Sequence, residues 1–226
     1  MSIENAGRRG RPASAGSRRP KPPAGSPFVV AIVGPAGSGK STLARSLAGP
    51  RTRVLDADRL GHEITDGDPT VRAALAAEYG AGVYLADGTL DRGRVGARVF
   101  SDPAALARLN AIVHPRIAAR LRDEIARATG IDTVVIDAAV LLDWGFEREC
   151  DAVIAVRASR EQQIARLRKA RGWSEGEATR RLASARSDEA FKALADEVVV
   201  NDTDEATAER AMRDAVDRLR ARWAAR

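Results

Sequence analysis

The sequence is short of the residues that staple a chain together or carry it through a membrane. It has a single cysteine, Cys150, in 226 residues. That excludes an intramolecular disulfide framework and any metal site built from the cysteines of one chain alone. No run of about 18 apolar residues occurs, so no membrane-spanning helix is expected. The basic N-terminus is not followed by the apolar stretch of a secretory signal. These features point to a reducing, cytoplasmic setting. The two histidines, His62 and His114, lie far apart in the chain, and no histidine metal site is expected. Lysine is scarce as well. Of 37 basic residues only Lys21, Lys40, Lys169 and Lys192 are lysines, so a lysine at a special position stands out.

What is present fits one domain with room for a lid or tail, at roughly 100–200 residues per domain. A chain of this length buries a full core unaided. The net charge of +6 is unevenly placed: residues 1–27 carry +5, and the rest holds 31 basic against 30 acidic groups. The folded part is therefore close to neutral, and a wholly basic nucleic-acid-binding domain is not indicated. Residues 1–27 are rich in Pro, Gly, Ser and Arg and are expected to be disordered. Their charge allows at most weak contact with RNA or an acidic partner.

From Phe28 onward, short apolar runs alternate with amphipathic segments. FVVAIV (28–33), RVLDAD (53–58), TVVID (133–137), DAVIAV (151–156) and EVVV (197–200) read as buried strands. Residues 70–78, 91–100, 103–128, 159–170, 174–190 and 204–224 read as helices, with Pro115 marking a break or the first turn of a new helix. Asp87-Gly88 is a turn. The alternation predicts an α/β fold with a mostly parallel sheet flanked by helices.

Gly34-Pro35-Ala36-Gly37-Ser38-Gly39-Lys40-Ser41 fills every position of G-x-x-x-x-G-K-S/T between a strand and a helix. Glycines let the backbone curl so that successive N–H groups converge on phosphate oxygens. The positive end of the following helix faces the same anion. Lys40 reaches the β- and γ-phosphates, and Ser41 offers a hydroxyl to Mg²⁺. Thr42 adds an α-phosphate contact. The motif predicts a nucleoside triphosphate with Mg²⁺. A guanine-reading N-K-x-D is absent, which argues against a GTPase.

Asp56 and Asp58 close the second strand, at the sheet edge where ligands bind. Asp58 is either a proton acceptor for an attacking hydroxyl or the cap of a helix starting near Arg59. Asp137 is either the acid that holds Mg²⁺ through water or a polar residue closing its strand. RLRKARGWS (166–174) puts several cations near a Gly-Trp turn, beside a transferring phosphoryl group or simply in solvent. Arg166 and Arg171 are not ranked by position, and Trp173 reads as packing rather than base stacking. His114 alone reads as structural.

Six segments, in order, resemble the dephospho-CoA kinase family from about Phe28 to Ala215: VVAIVGPAGSGKSTLARSLA, VLDADRLGHE, DGTLDRGRVGARVFSDPAALARLNAIVHPRI, VVIDAAVLLDWGFERECDAVIAV, REQQIARLRKARGWSEGEA and LADEVVVND. The resemblance implies a P-loop kinase fold, an acceptor-binding helical region at about 60–130 and a lid at about 166–192. It implies transfer of phosphate from ATP, with Mg²⁺, to the ribose 3′-hydroxyl of dephospho-CoA. It makes Asp58 the base and Arg171 the charge-stabilising arginine. It puts His62, Asn110, His114 and Leu141 on the acceptor side and Asn201 near the adenine. The chain departs from the family pattern at Ala139 for Pro, Asp143 for Glu, Ala170-Arg171-Gly172 for Arg-Asp-Gly and Ala185 for Gln, and an expected lysine falls one place late at Lys192. These departures touch the lid and acceptor side, not the phosphate loop. Two other functions fit the motif: another small-molecule kinase, such as a nucleoside kinase, or a non-catalytic nucleotide-binding module whose tail recruits RNA or a partner.

Overall fold

The computed structural model describes residue 23 and residues 25–138, 145–183 and 188–226. Five strands run parallel in the order β2-β3-β1-β4-β5. They are β1 (Phe28–Val33), β2 (Thr52–Asp56), β3 (Thr133–Asp137), β4 (Ala152–Arg157) and β5 (Glu197–Val200). All six residues of β1 are fully buried, because helices cover both faces of the sheet. Side chains alternate across a strand, so Val29, Ala31 and Val33 enter one core while Phe28, Val30 and Ile32 enter the other.

The first core is closed by α2 (Ala57–Gly67), α3 (Pro69–Tyr79), α4 (Arg92–Ser101) and the long α5 (Pro103–Ala126). The second is closed by α1 (Lys40–Arg45) and α9 (Glu205–Ala224). Trp223, at the end of α9, stacks obliquely on Phe28 at 5.5 Å between ring centroids. Between β4 and β5 lie α6 (Arg160–Arg171), α7 (Glu175–Ala183) and α8 (Asp188–Lys192). There Leu167, Ala178 and Leu182, with Ile164 and Trp173, form a small cluster apart from both main cores. Trp173 packs as expected, with the Arg181 guanidinium 4.9 Å over its ring.

Local sequence sets the helix starts. Asp68 accepts hydrogen bonds from Thr70 N (2.8 Å) and Val71 N (3.1 Å), with Pro69 opening α3. Asp102 accepts from Ala104 N at 2.8 Å, with Pro103 opening α5. Both combine a side-chain acceptor with a residue whose missing N–H costs nothing at that position. Glu124 of α5 is buried and pairs with Arg53 of β2 and, at 3.1 Å, with Arg120. That pairing ties α5 to the edge strand of the sheet.

Three boundaries differ from the sequence reading. The second strand ends at Asp56, and Asp58 lies in the first turn of α2. Pro115 does not break its helix: α5 runs through it as one element. Pro115 is exposed, as is Ala111 one turn earlier, so water can meet the carbonyl that loses its partner. The segment predicted at 174–190 is two helices, with residues 184–187 outside the description. The predicted disordered tail also lies outside it, apart from residue 23 and residues 25–27. Among the described residues no helix is long and apolar enough to cross a membrane.

Leu121 is fully buried where α5 meets the sheet. Leu121→Ala should lower the unfolding free energy in urea by about 2–5 kcal/mol. Leu106→Ala, on the exposed side of the same helix, should stay within about 0.5 kcal/mol.

Candidate active site

Parallel pairing brings the carboxyl ends of β1, β2 and β3 to one edge of the sheet. Asp56 stands directly beside Asp137 in the β2–β3 register, and Ile32 beside Asp137 in the β1–β3 register. The chain leaves β1 at this edge, turns through Gly34–Gly39 and enters α1 at Lys40. Two glycines are required here by both conformation and space. Gly37 has φ +76°, and a Cβ there would lie 2.7 Å from the Gln163 carbonyl oxygen. Gly39 has φ +86°, and a Cβ there would overlap the Asn201 amide nitrogen. Pro35 is buried, Ala36 and Thr42 are exposed, and the Thr42 N–H donates to Gly39 O at 3.1 Å.

Ser38 is fully buried, and its hydroxyl has no hydrogen-bond partner among the described residues. Lys40 sits in the first turn of α1, where the helix end is already positive. A cation and a partnerless buried hydroxyl in one curled loop fit an anion.

The two acids of the DAD segment divide their work. Asp56 Oδ1 accepts from Arg59 N at 2.9 Å and caps α2. Asp58, one residue into the helix, makes no hydrogen bond or ion pair among the described residues, and its side chain opens on the cleft. The capping alternative for Asp58 is therefore excluded, and its carboxylate remains available. Asp58 keeps an exposed face, and partial desolvation at the cleft pushes its pKa above the ordinary value. Lys40 opposes that rise and Asp56 adds to it, with His62 and Arg171 again opposing.

Asp137 is buried, and its Oδ1 has no hydrogen-bond partner among the described residues. Burial raises its pKa; the hydrogen-bonded Ser41 hydroxyl and the Lys40 charge counteract this. A partnerless buried carboxylate oxygen beside a hydroxyl is the hard oxygen donor set that Mg²⁺ takes, with phosphate oxygens completing its shell. These residues fit the ion.

A cleft of about 600 Å³ opens beside the loop. It gathers Asp58 and His62 from successive turns of α2, Asn110 and His114 from successive turns of α5, and Arg171 from the end of α6. Val95 and Val99 of α4, with Val113 and Ile117 of α5, make an apolar wall. Two smaller clefts, of about 360 and about 340 Å³, lie on the outer side of α2 and α5 and between α1 and α9, and hold none of these residues.

Arg166 and Arg171 separate clearly. Arg166 is spent on the backbone, donating to Gly37 O (3.3 Å), Ser38 O (3.1 Å) and Asn201 O (2.8 Å). Arg171 lines the cleft with Asp58. Asn201 is buried at the phosphate loop, and its amide nitrogen donates to Ser38 O at 2.8 Å. Leu141 lies outside the described residues, as do Ala139, Asp143 and Ala185. Lys192 makes an exposed ion pair with Glu189 at 3.9 Å.

The sequence reading passed over Arg92. It lines the cleft and donates to Asp66 Oδ2 (2.9 Å) and Thr65 Oγ1 (3.2 Å), fixing the start of α4 to α2. Its place in DGTLDRGR was visible, but its partners lie 26 and 27 residues back and carry no motif.

Comparison with known proteins agrees with this geometry. The family model for dephospho-CoA kinase matches residues 28–207. A dephospho-CoA kinase of Streptomyces avermitilis is 40% identical over 174 residues, covering 76% of this chain and 84% of that protein. One of Thermobifida fusca is 37% identical over 172 residues, covering 76% and 86%. Among solved structures, the TT1252 protein of Thermus thermophilus superposes with a TM-score of 0.73 at 28% identity, covering 84% of this chain and 96% of that one. A dephospho-CoA kinase from Campylobacter jejuni gives 0.59 at 19% identity, covering 85% and 97%, and shares the fold.

The raised pKa values of Asp58 and Asp137 have a consequence for stability. Unfolded, each carboxyl loses its proton near 3.8; folded, each keeps it to a higher pH. The stabilisation from that proton is full below 3.8 and is lost as pH rises through the folded value. At neutral pH both ionised acids therefore work against the fold. Asp137→Asn should raise the Tm of the ligand-free protein at about pH 7, Asp58→Asn should raise it less because that carboxylate is exposed and screened by solvent, and both gains should vanish at about pH 3. A variant that melts below the wild type at neutral pH would contradict the assignment.

Proposed function

We infer the reaction from family membership: the chain belongs to the dephospho-CoA kinase family. It is an ATP-dependent phosphotransferase that phosphorylates the ribose 3′-hydroxyl of dephospho-CoA, giving CoA and ADP, the last step of coenzyme A biosynthesis. The roles of individual side chains are our reading of the site. The observation that carries it is the meeting of a free carboxylate, Asp58, with Lys40 and Arg171 where the acceptor cleft joins the phosphate loop.

In this reading the loop N–H groups and Lys40 hold the triphosphate. Ser41 directly, and Asp137 through water, would hold Mg²⁺, whose positive charge would offset the negative charge of the phosphates. The 3′-hydroxyl of the acceptor comes to Asp58. As its oxygen bonds to the γ-phosphorus, the bond from that phosphorus to the β–γ bridging oxygen breaks, and the hydroxyl proton passes to Asp58. A carboxylate whose pKa partial desolvation has raised accepts a proton more readily than an ordinary one. Arg171 faces the same point with a planar guanidinium, suited to the charge spread over the phosphoryl oxygens. Little covalent chemistry is asked of the protein; the acceleration comes from position and charge.

His62, Asn110 and His114 give the cleft its polar rim, and Val95, Val99, Val113 and Ile117 its apolar side. That combination suits an acceptor carrying a nucleotide at one end and a long uncharged arm at the other. Residues 166–192, in which Leu167, Ala178 and Leu182 form a separate small core while Phe191 joins the first main core, serve as the lid. A cytoplasmic setting belongs to the same reading, since the single cysteine needs no oxidising compartment.

ADP release from ATP–Mg²⁺ should depend on added dephospho-CoA. Asp58→Asn should lower kcat by about 10²–10⁴ while ATP still binds. Arg171→Ala should lower kcat by about 10²–10³ with the KM for either substrate less affected. Stimulation by a nucleoside but not by dephospho-CoA would refute the acceptor, and near-normal turnover of Asp58→Asn would refute the base.

A further inference from the structure

The hydrogen bonds behind the phosphate loop suggest a part of the donor site that touches no substrate. The Ser38 carbonyl accepts from two donors at once, Arg166 Nη1 at 3.1 Å and Asn201 Nδ2 at 2.8 Å. A carbonyl oxygen has two lone pairs, and both are taken. Arg166 also donates to Gly37 O at 3.3 Å and, through Nη2, to Asn201 O at 2.8 Å. One guanidinium on α6 thus joins the phosphate loop, 129 residues from it in the chain, to the end of β5, 35 residues from it.

The peptide between Ser38 and Gly39 is planar and trans, so its N–H points opposite to its C=O. Anchoring the carbonyl behind the loop turns the Gly39 N–H to the front, at the entrance to α1 beside Lys40. The guanidinium charge polarises the same peptide and makes that N–H a stronger donor. Gly39 itself completes the arrangement: a Cβ there would occupy the place of the Asn201 amide nitrogen. The glycine is needed not only for its backbone angle but also to let Asn201 reach Ser38.

We propose that Arg166 and Asn201 are positioning residues of the phosphoryl-donor site. They act through the Ser38–Gly39 peptide, setting its N–H for the triphosphate, and not through the nucleotide base. The proposal rests on the reading that this loop holds the triphosphate of ATP. It gives Asn201 a different task from contact with adenine, since its amide nitrogen is already committed to the loop. It also explains why Arg166 and Arg171, on one helix, are not equivalent: the first fixes the donor side and the second faces the acceptor.

The test compares binding of Mg²⁺–ATP, Mg²⁺–GTP and inorganic tripolyphosphate to the wild type, Asn201→Asp and Arg166→Lys. Asn201→Asp keeps the shape but sets an acceptor against the Ser38 carbonyl. It should weaken all three ligands by a similar factor, about tenfold or more. Arg166→Lys keeps the charge but not the two-pronged reach, and should weaken all three in the same direction by a smaller factor. In steady-state assays the KM for ATP should rise while that for dephospho-CoA stays within about twofold. Weaker ATP with unchanged tripolyphosphate would overturn the proposal in favour of base contact. Unchanged binding of all three would also overturn it. So would loss of the folded state in either variant, which would assign the pair to the core. A wild type that binds neither ATP nor tripolyphosphate would overturn the donor-site reading and the proposal with it, and that is seen before any variant is compared.

Discussion

The pairing of β1 between β3 and β4 is the constraint from which the site follows. Because all three run parallel, their carboxyl ends cannot be distributed over both edges of the sheet. Whatever the chain places at the ends of β1, β2 and β3 must converge, and it places there a glycine-rich turn and the acids Asp56 and Asp137. Burying a parallel strand on both faces requires an apolar run such as FVVAIV, and that requirement leaves polar residues only at the strand ends. The core and the chemistry are thus two results of one pattern, clearest in β1 and β3: apolar inside the strand, charged or glycine where it stops.

How far this was legible depended on the range of the interaction concerned. The five strands were readable because each is a short apolar run, and the phosphate loop because its spacing is local. Spacing alone left Asp58 open, since Asp56 and Asp58 are both good helix caps, and only the family resemblance made it the base. Only the turn of the chain at Asp56 decides that one caps and the other stays free. Pro115 misled for a related reason: its effect depends on whether the orphaned carbonyl meets water, and in α5 that side is exposed. Arg166, Arg92 and Asn201 could not be ranked because their partners are distant in sequence. The bond from Asn201 to Ser38 spans 163 residues, and no periodicity encodes it. In the sequence only the family resemblance singled out Asn201, and it pointed to the adenine rather than to the loop.

Electrostatics sets a tension at the sheet edge. Three carboxylates, Asp56, Asp58 and Asp137, crowd there, and a triphosphate brings further negative charge to the same place. Asp58 and Asp137 both have raised pKa values, so their ionised forms are held at some cost to the fold. Lys40 is the cation that offsets both. It is one of only four lysines in an arginine-rich chain. A compact ammonium can serve a carboxylate on either side and still reach a phosphate, whereas a planar guanidinium would commit to one of them. The scarcity of lysine elsewhere makes its presence here a matter of geometry rather than of composition.

Helix α6 carries this division of labour across the molecule. Arg166 and Arg171 are five residues apart, which is about 7.5 Å of rise and nearly one and a half turns. They therefore point in different directions from one rod. Arg166 anchors the rod to the back of the phosphate loop. Arg171 ends it at the acceptor cleft, just before Gly172 terminates the helix in a left-handed turn. Beyond Gly172 the chain enters the small cluster around Leu167, Ala178 and Leu182, which joins neither main core. The helix thus has one end fixed to the donor loop, while the segment after its other end is held chiefly by its own packing. In the proposed reading, where this segment is the lid, it can change its contacts at Arg171 without disturbing the peptide that Arg166 holds. Closure over an acceptor and order in the phosphate loop would then be separable, although one helix serves both.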